Sequence, residues 1–180
     1  MSKGQARGSE GASRVKVLMV CLGNICRSPS AHGVLNKYIQ NNKLEEFIEV
    51  DSAGTSNYHI GEHPDPRSIQ AAALRGYSLH DLVARQVRDE DFQLFDYILA
   101  MDDANLNELR KRAPQNCRAS MGLLLDYSDT RQEMVPDPYY SGVDGFELVL
   151  DLIERGCEGL LADIRVRHLS SMSDGEGSQG

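Results

Sequence analysis

The sequence predicts an α/β fold: a single-domain, three-layer sandwich in which helices cover both faces of a four-stranded parallel sheet. The first reason is that short apolar runs alternate with longer amphipathic segments, which is the order expected of parallel strands joined by crossover helices. The second is that 180 residues suit one domain and that no linker divides them. A composition of 41% hydrophobic and 26% charged residues is ordinary for a globular protein.

Four apolar runs are predicted to form the strands. The first, "VKVLMV" (15–20), is almost continuously apolar and rich in β-branched residues, which is typical of a strand buried on both faces. The other three are shorter and lie between helical segments. They are "FIEV" (47–50), "YILAM" (97–101) and "MGLLL" (121–125).

Four helices are predicted between and after these strands. The first, Ser28–Asn41, has a proline in its first turn, and the second, 65–76, has a proline near its start and ends at a glycine. The third, 102–112, begins with aspartates that can cap it. The last, Asp144–Ile164, has apolar residues at intervals of three and four that form one buried stripe. We therefore expect a flavodoxin-like sheet that binds ligands at the carboxyl ends of its strands.

Composition and charge also limit the class of protein. Residues 1–13 and 169–180 are rich in glycine, serine and charge, so we expect disordered tails around a domain at 14–168. A formal net charge of -8 argues against nonspecific nucleic-acid binding, and no apolar stretch approaches the roughly 18 residues of a membrane span. Four irregularly spaced cysteines do not indicate a disulfide framework, which favours a cytoplasmic location. The alternative is a plastid or another organelle after loss of a transit peptide, and we expect a monomer or a weak dimer.

The turn after the first strand is the most informative stretch of the chain. In "CLGNICRSP" (21–29), Cys21 ends the strand and Arg27 precedes the helix. The backbone N–H groups of such a turn and of the helix N-terminus favour an anion, and a guanidinium adds paired donors for two phosphate oxygens. Gly23 and Asn24 tolerate the left-handed backbone that this turn requires. The stretch is therefore predicted to bind phosphate.

Cys21 is predicted to be a nucleophile. Cysteines beside helix N-termini and cations lose their proton readily, and the resulting thiolate would lie under a bound phosphate. Ser28 could donate a hydrogen bond to the sulfur. The alternative is a structural cysteine at a strand end with a solvated arginine nearby, but the combination of residue types favours catalysis.

A thiolate that attacks a phosphate ester needs an acid to protonate the leaving group. The candidate is Asp137 in "VPDPYY" (135–140), because the two flanking prolines fix the backbone and keep the aspartate out of a helix. Tyr139 and Tyr140 could stack on an aromatic leaving group. The alternative interpretation of this stretch is a stiff surface loop.

Together these stretches resemble the low-molecular-weight protein tyrosine phosphatases. "CLGNICRSP" resembles that family's phosphate-binding signature and "DPYY" its general-acid loop, and further matches lie at 51–67, 84–87 and 97–109. The resemblance implies a phosphoric monoester hydrolase that acts on tyrosine-phosphorylated proteins or small aryl phosphates through a phosphocysteine intermediate, without a metal or cofactor. It covers about residues 15–165.

The resemblance also implies a role for each site residue. Cys21 would attack phosphorus, Arg27 would bind the equatorial oxygens, and Asp137 would act as acid and then as base. Ser52 would support Asn24. The other substrate-binding positions are Leu22, Gly23, Asn24, Ile25, Cys26 and Ser28 in the turn and Tyr58, Tyr139 and Tyr140 around the cleft.

For Ile25 and Cys26, which are neighbours in the turn, the resemblance implies further properties. Relatives that act on phosphoarginine tend to have threonine at the position of Ile25, so isoleucine favours phosphotyrosine. Cys26 is the expected redox partner of Cys21, with which it would form a reversible disulfide under peroxide. The alternative is that Cys26 only fills space beneath the turn.

Three other functions fit parts of the same pattern. A phosphoarginine phosphatase would share the whole mechanism. A thiol-dependent arsenate reductase on the same fold needs two further cysteines in a mobile segment, whereas Cys117 and Cys157 are predicted to be structural. A non-catalytic phosphate-binding module should have lost the nucleophile or the acid, and both are present.

Two other patterns receive structural interpretations. His59 and His63 have a spacing seen in metal sites, but no further ligand lies near them in the sequence, so no metal site is predicted. The acidic run 89–91 is predicted to be solvated.

Overall fold

The computed structural model describes residues 13–170, and its sheet has four parallel strands in the order β2-β1-β3-β4. The strands are β1 (Val15–Cys21), β2 (Ile48–Gly54), β3 (Tyr97–Ala100) and β4 (Ser120–Leu123). Because β1 lies between β2 and β3, the chain leaves the sheet in opposite directions after β1 and β2. A crevice therefore opens at the carboxyl end of β1. The predicted fold class is confirmed.

Five α-helices and one 3₁₀ turn cover the sheet within residues 13–170. The helices are α1 (Arg27–Asn41), α2 (Pro66–Leu74), α3 (Asp91–Leu94), α4 (Asp103–Arg112) and α5 (Val143–His168), and the 3₁₀ turn is Leu124–Tyr127. The four predicted helices are present, whereas the short α3 was not predicted. β2 also runs further than predicted, because residues 51–54 continue to pair with β1.

Side chains alternate between two apolar clusters on the two faces of the sheet. Val17, Met19 and Cys21 belong to the cluster that also contains residues of α1, α2 and α5. Leu18 and Val20 belong to the other cluster, with residues of α3 and α4. Because the side chains of a strand alternate, the alternation along β1 directs Cys21 toward the face that α1 covers.

Two expectations are corrected by burial. Asp91, predicted to be solvated, is buried and forms an ion pair with Arg85, because the chain turns into α3 at this point. Leu169, placed in the predicted C-terminal tail, packs in the core beside α5, whose last turn it closes by donating its N–H to the Arg165 carbonyl. The rest of the two predicted tails, residues 1–12 and 171–180, lies outside the described residues. Between residues 13 and 170, no helix is both long and apolar enough to span a membrane.

Candidate active site

A cleft of about 270 Å³ opens at the carboxyl end of β1. It brings together the predicted nucleophile, the predicted phosphate-binding arginine and the predicted acid, which come from two loops more than a hundred positions apart in the sequence. Its lining comprises Cys21, Leu22, Gly23, Ile25, Cys26, Arg27, Tyr58, His59, Asp137, Tyr139 and Tyr140.

The turn at residues 21–27, here named the anion loop, is shaped by one left-handed residue and one close approach. Asn24 has a φ of 58°, and β2 packs so tightly against the loop that a Cβ on Gly54 would lie 2.7 Å from the Leu22 carbonyl oxygen. Thr55 donates its N–H to the Cys21 carbonyl at 2.9 Å. The loop carbonyl of Cys21 is therefore engaged by the chain that follows β2, away from the cleft.

The N-terminus of α1 contributes unpaired donors to the same place. Its N-cap, Cys26, makes no side-chain capping hydrogen bond, and the first turn contains no acidic residue. The first N–H groups of a helix have no partner within the helix, and the helix dipole adds partial positive charge there. An uncapped helix start beside a cleft is suited to bind an anion.

The sulfur of Cys21 lies within hydrogen-bonding distance of two groups. Its Sγ is 3.0 Å from Oγ of Ser28 and accepts the N–H of Asn24 at 3.3 Å. The side-chain amide of Asn24 donates to the same Ser28 oxygen at 2.8 Å. The single Ser28 hydroxyl proton has two acceptors within reach, the Cys21 sulfur at 3.0 Å and the Ala53 carbonyl at the longer distance of 3.4 Å. Asn24 and Ser28 are buried beneath the cleft rather than lining it.

Asn24 is held from outside the loop by a residue that the sequence did not indicate. Its Oδ1 accepts the backbone N–H of Arg85 at 3.0 Å. The guanidinium of Arg85 is clamped in turn by Asp51 and Asp91, each at 3.0 Å. Burial opposes the charge of Arg85, but the two carboxylates outweigh it and raise the pKa of this group above its ordinary value.

Ser52 takes a different role from the one expected. Its Oγ lies 3.0 Å from Nδ1 of His32 on α1, and within the described chain it makes no hydrogen bond to Asn24. Burial lowers the pKa of His32, and the negative charge of Asp51, which acts in the opposite direction, does not outweigh it. The neutral imidazole is therefore favoured. Ser52 thus ties β2 to α1.

Arg27 is only 3% exposed and has a fixed orientation. Its Nη1 donates to Asp102 at 2.6 Å and to the Val135 carbonyl at 3.1 Å, while its Nη2 lies 3.9 Å from Oδ2 of Asp137. Burial disfavours its charge, but negative charge at Cys21 and the hydrogen bond that Arg27 donates to Asp102 raise the pKa of Arg27 above its ordinary value. The guanidinium therefore remains a full positive charge at the cleft floor.

The segment at residues 135–140, here named the acid loop, presents Asp137 at the cleft mouth. The side chain of Asp137 is 51% exposed, and its Oδ1 accepts the N–H of Tyr139 at 3.1 Å. The rings of Tyr139 and Tyr140 pack edge to face with centroids 5.0 Å apart. The carboxyl group and the two rings thus face the space above Cys21.

A pair of residues outside both motifs connects the two loops. Asp65 donates its N–H to the Ile25 carbonyl at 2.8 Å, and its carboxylate binds the side chain of Arg67. The guanidinium of Arg67 lies over the rings of Tyr139 and Phe146, at 5.4 and 4.8 Å from their centroids. The positions of the anion loop and the acid loop are therefore coupled through this pair.

The remaining cysteines differ in their surroundings. Cys26 is buried within the anion loop, and burial raises the pKa of its thiol to about 12. Cys157 is fully buried on α5, where burial raises the pKa of its thiol further, and Cys117 is half-buried. A cysteine in the centre of a long helix cannot belong to a mobile segment, so Cys157 is not suited to relay a disulfide.

The two histidines of the 59–63 segment point to separate partners. Nδ1 of His59 is 3.2 Å from Glu62, and Nδ1 of His63 is 3.0 Å from the Leu82 carbonyl. Among residues 13–170, no cluster of three or more histidine, cysteine or acidic side chains is arranged to hold a metal ion. His59, which was not predicted to be a site residue, lines the cleft next to Gly23.

Comparisons with known proteins agree with this geometry. Residues 16–169 match the family model described as low molecular weight phosphotyrosine protein phosphatase. A chicken (Gallus gallus) protein of that name is 43% identical over 153 residues, which are 83% of this chain and 96% of the relative. A protein tyrosine phosphatase from Entamoeba histolytica, crystallised with Hepes in the active site, is 43% identical with a TM-score of 0.81, over 84% of this chain and 97% of that one. A Drosophila arginine phosphatase is 33% identical with a TM-score of 0.80, over 84% of this chain and 98% of its own.

The ion pair beneath the cleft gives a testable prediction. The substitution Asp102→Asn preserves an oxygen to cap α4 but removes the charge opposite Arg27. We expect the free energy of unfolding to fall by about 2 kcal/mol, because a buried guanidinium loses its ion pair. In saturating phosphate the loss should shrink, since the bound anion replaces the missing charge.

Urea unfolding with and without phosphate measures both effects. The matched control is Asp103→Asn, an exposed aspartate in the first turn of the same helix, which should change stability little. Equal losses for the two variants, or a loss at Asp102 that phosphate leaves unchanged, would contradict the assignment.

Proposed function

Because the chain belongs to the low molecular weight phosphotyrosine protein phosphatase family and is therefore a protein-tyrosine phosphatase, we propose that it hydrolyses phosphotyrosine monoesters through a phosphocysteine intermediate on Cys21. The observation that carries this proposal is the meeting of three groups in one cleft. A thiol with two hydrogen-bond donors lies at its floor, a buried guanidinium lies beside the thiol, and a half-exposed carboxyl group lies at its mouth.

The first step transfers the phosphoryl group to sulfur. The Cys21 thiolate attacks phosphorus, forming the S–P bond as the P–O bond to the phenol breaks, and Asp137 gives its proton to the departing oxygen. The anion-loop N–H groups and Arg27 bind the three equatorial oxygens, where negative charge is spread in the transition state. Tyr58, Tyr139 and the neighbouring Tyr140 flank the phenyl ring.

The second step regenerates the enzyme. Asp137, now a carboxylate, takes a proton from water as the water attacks phosphorus, and the S–P bond breaks to release inorganic phosphate and the thiolate. The Ser28 hydroxyl and the Asn24 N–H stabilise the charge that returns to sulfur. Both steps balance without a metal ion or cofactor. We also infer a cytoplasmic location, because four irregularly spaced cysteines without a disulfide framework suit a reducing compartment.

A second candidate substrate is phosphoarginine, because one structural neighbour is an arginine phosphatase. Ile25 lines the cleft and has an apolar side chain, which offers no hydrogen bond to a guanidinium and suits a phenyl ring. The apolar character of Ile25 therefore supports phosphotyrosine over phosphoarginine as the substrate.

Phosphate release from phosphotyrosine and phosphoarginine peptides of the same sequence tests both the reaction and its specificity. With reductant and without metal, we expect faster turnover of the phosphotyrosine peptide and none by Cys21→Ser, which should still bind vanadate. A preference for phosphoarginine would preserve the mechanism and overturn the specificity. Vanadate binding by the unmodified protein without turnover of either peptide would indicate a non-catalytic phosphate-binding module.

The role of Asp137 predicts a dependence on the leaving group. In Asp137→Asn, kcat/KM for phosphotyrosine should fall by a factor of about 10²–10⁴, because the phenolate must leave unprotonated in the first step, which kcat/KM reports. The loss in kcat/KM should be smaller for p-nitrophenyl phosphate, whose leaving group is more acidic. The matched control, Asp144→Asn at the exposed start of α5, should retain kcat/KM. Equal losses for good and poor leaving groups would assign Asp137 a binding role instead.

We also propose that Cys26 protects Cys21 from irreversible oxidation. Peroxide converts the Cys21 thiolate to a sulfenic acid, and the Cys26 thiolate attacks that sulfur, forming the disulfide and releasing water. Since burial holds the pKa of Cys26 at about 12, little of it is thiolate at neutral pH. The rate of disulfide formation should therefore rise about tenfold for each pH unit over a range well below that pKa.

Trapping the disulfide by mass spectrometry after peroxide treatment at several pH values measures this rate. Cys26→Ser should form no disulfide and should lose activity that thiols do not restore, whereas Cys117→Ser should behave like the unmodified chain. If reductant rescues Cys26→Ser as fully as the unmodified protein, Cys26 is only a buried packing residue.

A further inference from the structure

A second, polar pocket of about 400 Å³ adjoins the proposed active site. Leu22 and Tyr58 form part of both the cleft and this pocket, so they act as a common wall between the two. The far side of the pocket is formed by α4, through Asn105 and Arg112, and by Gln86 of the chain segment beside β2. A ligand that extends past Tyr58 on this side would enter the pocket directly.

Asn105 is a buried amide without a hydrogen-bond partner for its oxygen. The residue is only 3% exposed, it lines the pocket, and its Oδ1 has no partner among the residues that the structure describes. Native proteins rarely leave a buried polar atom unsatisfied, so this oxygen is suited to accept a hydrogen bond from a group outside the chain. Rotation of the carboxamide about its last torsion can present either the oxygen or the NH₂ group to the pocket.

Arg112 and Gln86 are fixed by a common acceptor. Nη2 of Arg112 donates to the Thr55 carbonyl at 2.6 Å, and Nε2 of Gln86 donates to the same oxygen at 3.0 Å. The Nε of Arg112 donates to Glu108 at 3.0 Å, so the guanidinium charge is largely offset by a carboxylate. The pocket therefore offers oriented hydrogen-bonding groups with little net charge, which does not suit a second phosphate.

We propose that this pocket binds the main chain of a peptide next to its phosphotyrosine, an inference that rests on the proposed function. A peptide unit carries one N–H donor and one carbonyl acceptor. These match the unpaired oxygen of Asn105 and the N–H groups of Arg112. A phosphotyrosine whose ring lies beside Tyr58 has its backbone at the common wall, whereas a small aryl phosphate does not reach the pocket. The substrates would accordingly be phosphorylated polypeptides rather than small aryl phosphates.

The test compares kcat/KM for p-nitrophenyl phosphate, a capped phosphotyrosine residue, and phosphotyrosine extended by a few residues on either side. For the unmodified chain, extension on one side should raise kcat/KM. That gain should fall about tenfold in Arg112→Gln and in Asn105→Leu, the loss expected from one or two hydrogen bonds. Arg110→Gln, an exposed arginine on the same helix, should retain the gain.

Thermal stability separates recognition from a structural role for Asn105. Replacing it with leucine removes a buried unpaired oxygen and keeps the branched shape of the side chain, so the variant should be about as stable as the unmodified chain while losing the gain from extension. A gain that survives both substitutions, or no gain for any extension, would overturn the peptide subsite and leave the phosphatase function intact. No turnover of any substrate, p-nitrophenyl phosphate included, would overturn the proposed function and the subsite with it.

Discussion

The hydrogen bonds of Asn24 maintain the shape of the anion loop. Its left-handed backbone turns the chain so that its N–H reaches the Cys21 sulfur, and its side chain bridges Ser28 and the backbone of Arg85. Without the bridge, the Ser28 hydroxyl beside the sulfur would lose the amide that holds it, and the loop would lose its tie to the chain beside β2. The chemistry at Cys21 thus depends on an interaction that itself touches no substrate.

The second constraint on the site is electrostatic. Arg27 is almost fully buried, and a buried charge is costly unless it is paired and hydrogen-bonded. Asp102 at the start of α4 and the Val135 carbonyl and more distant Asp137 of the acid loop satisfy it, so the guanidinium direction is fixed before any ligand arrives. A donor that needs no reorganisation when phosphate binds is well suited to stabilise a transition state.

The sequence was sufficient to predict the four strands and the four longer helices in their order along the chain, the anion loop and the acid loop. Each of these is a local pattern: an apolar run, a helical stripe, or a turn with a thiol and a guanidinium. The contacts that hold the anion loop in place could not be predicted, because they join residues that are far apart in the chain. In the sequence, each of these residues resembles an ordinary charged residue of the surface. Arg85 and its partner Asp51 are an example, since nothing in either local sequence indicates burial. Asp102 was recognised as a helix cap, yet only the folded chain shows that its second oxygen binds Arg27.

Direct detection of the covalent intermediate tests the central claim, that the Cys21 sulfur becomes bonded to phosphorus. The protein would be mixed with p-nitrophenyl phosphate, quenched in acid at successive times and digested for mass spectrometry. The mechanism predicts one phosphoryl group on the peptide that contains Cys21, present during turnover and absent once the substrate is consumed. Turnover with no phosphorylated enzyme at any time, or a phosphoryl group on another residue, would contradict it.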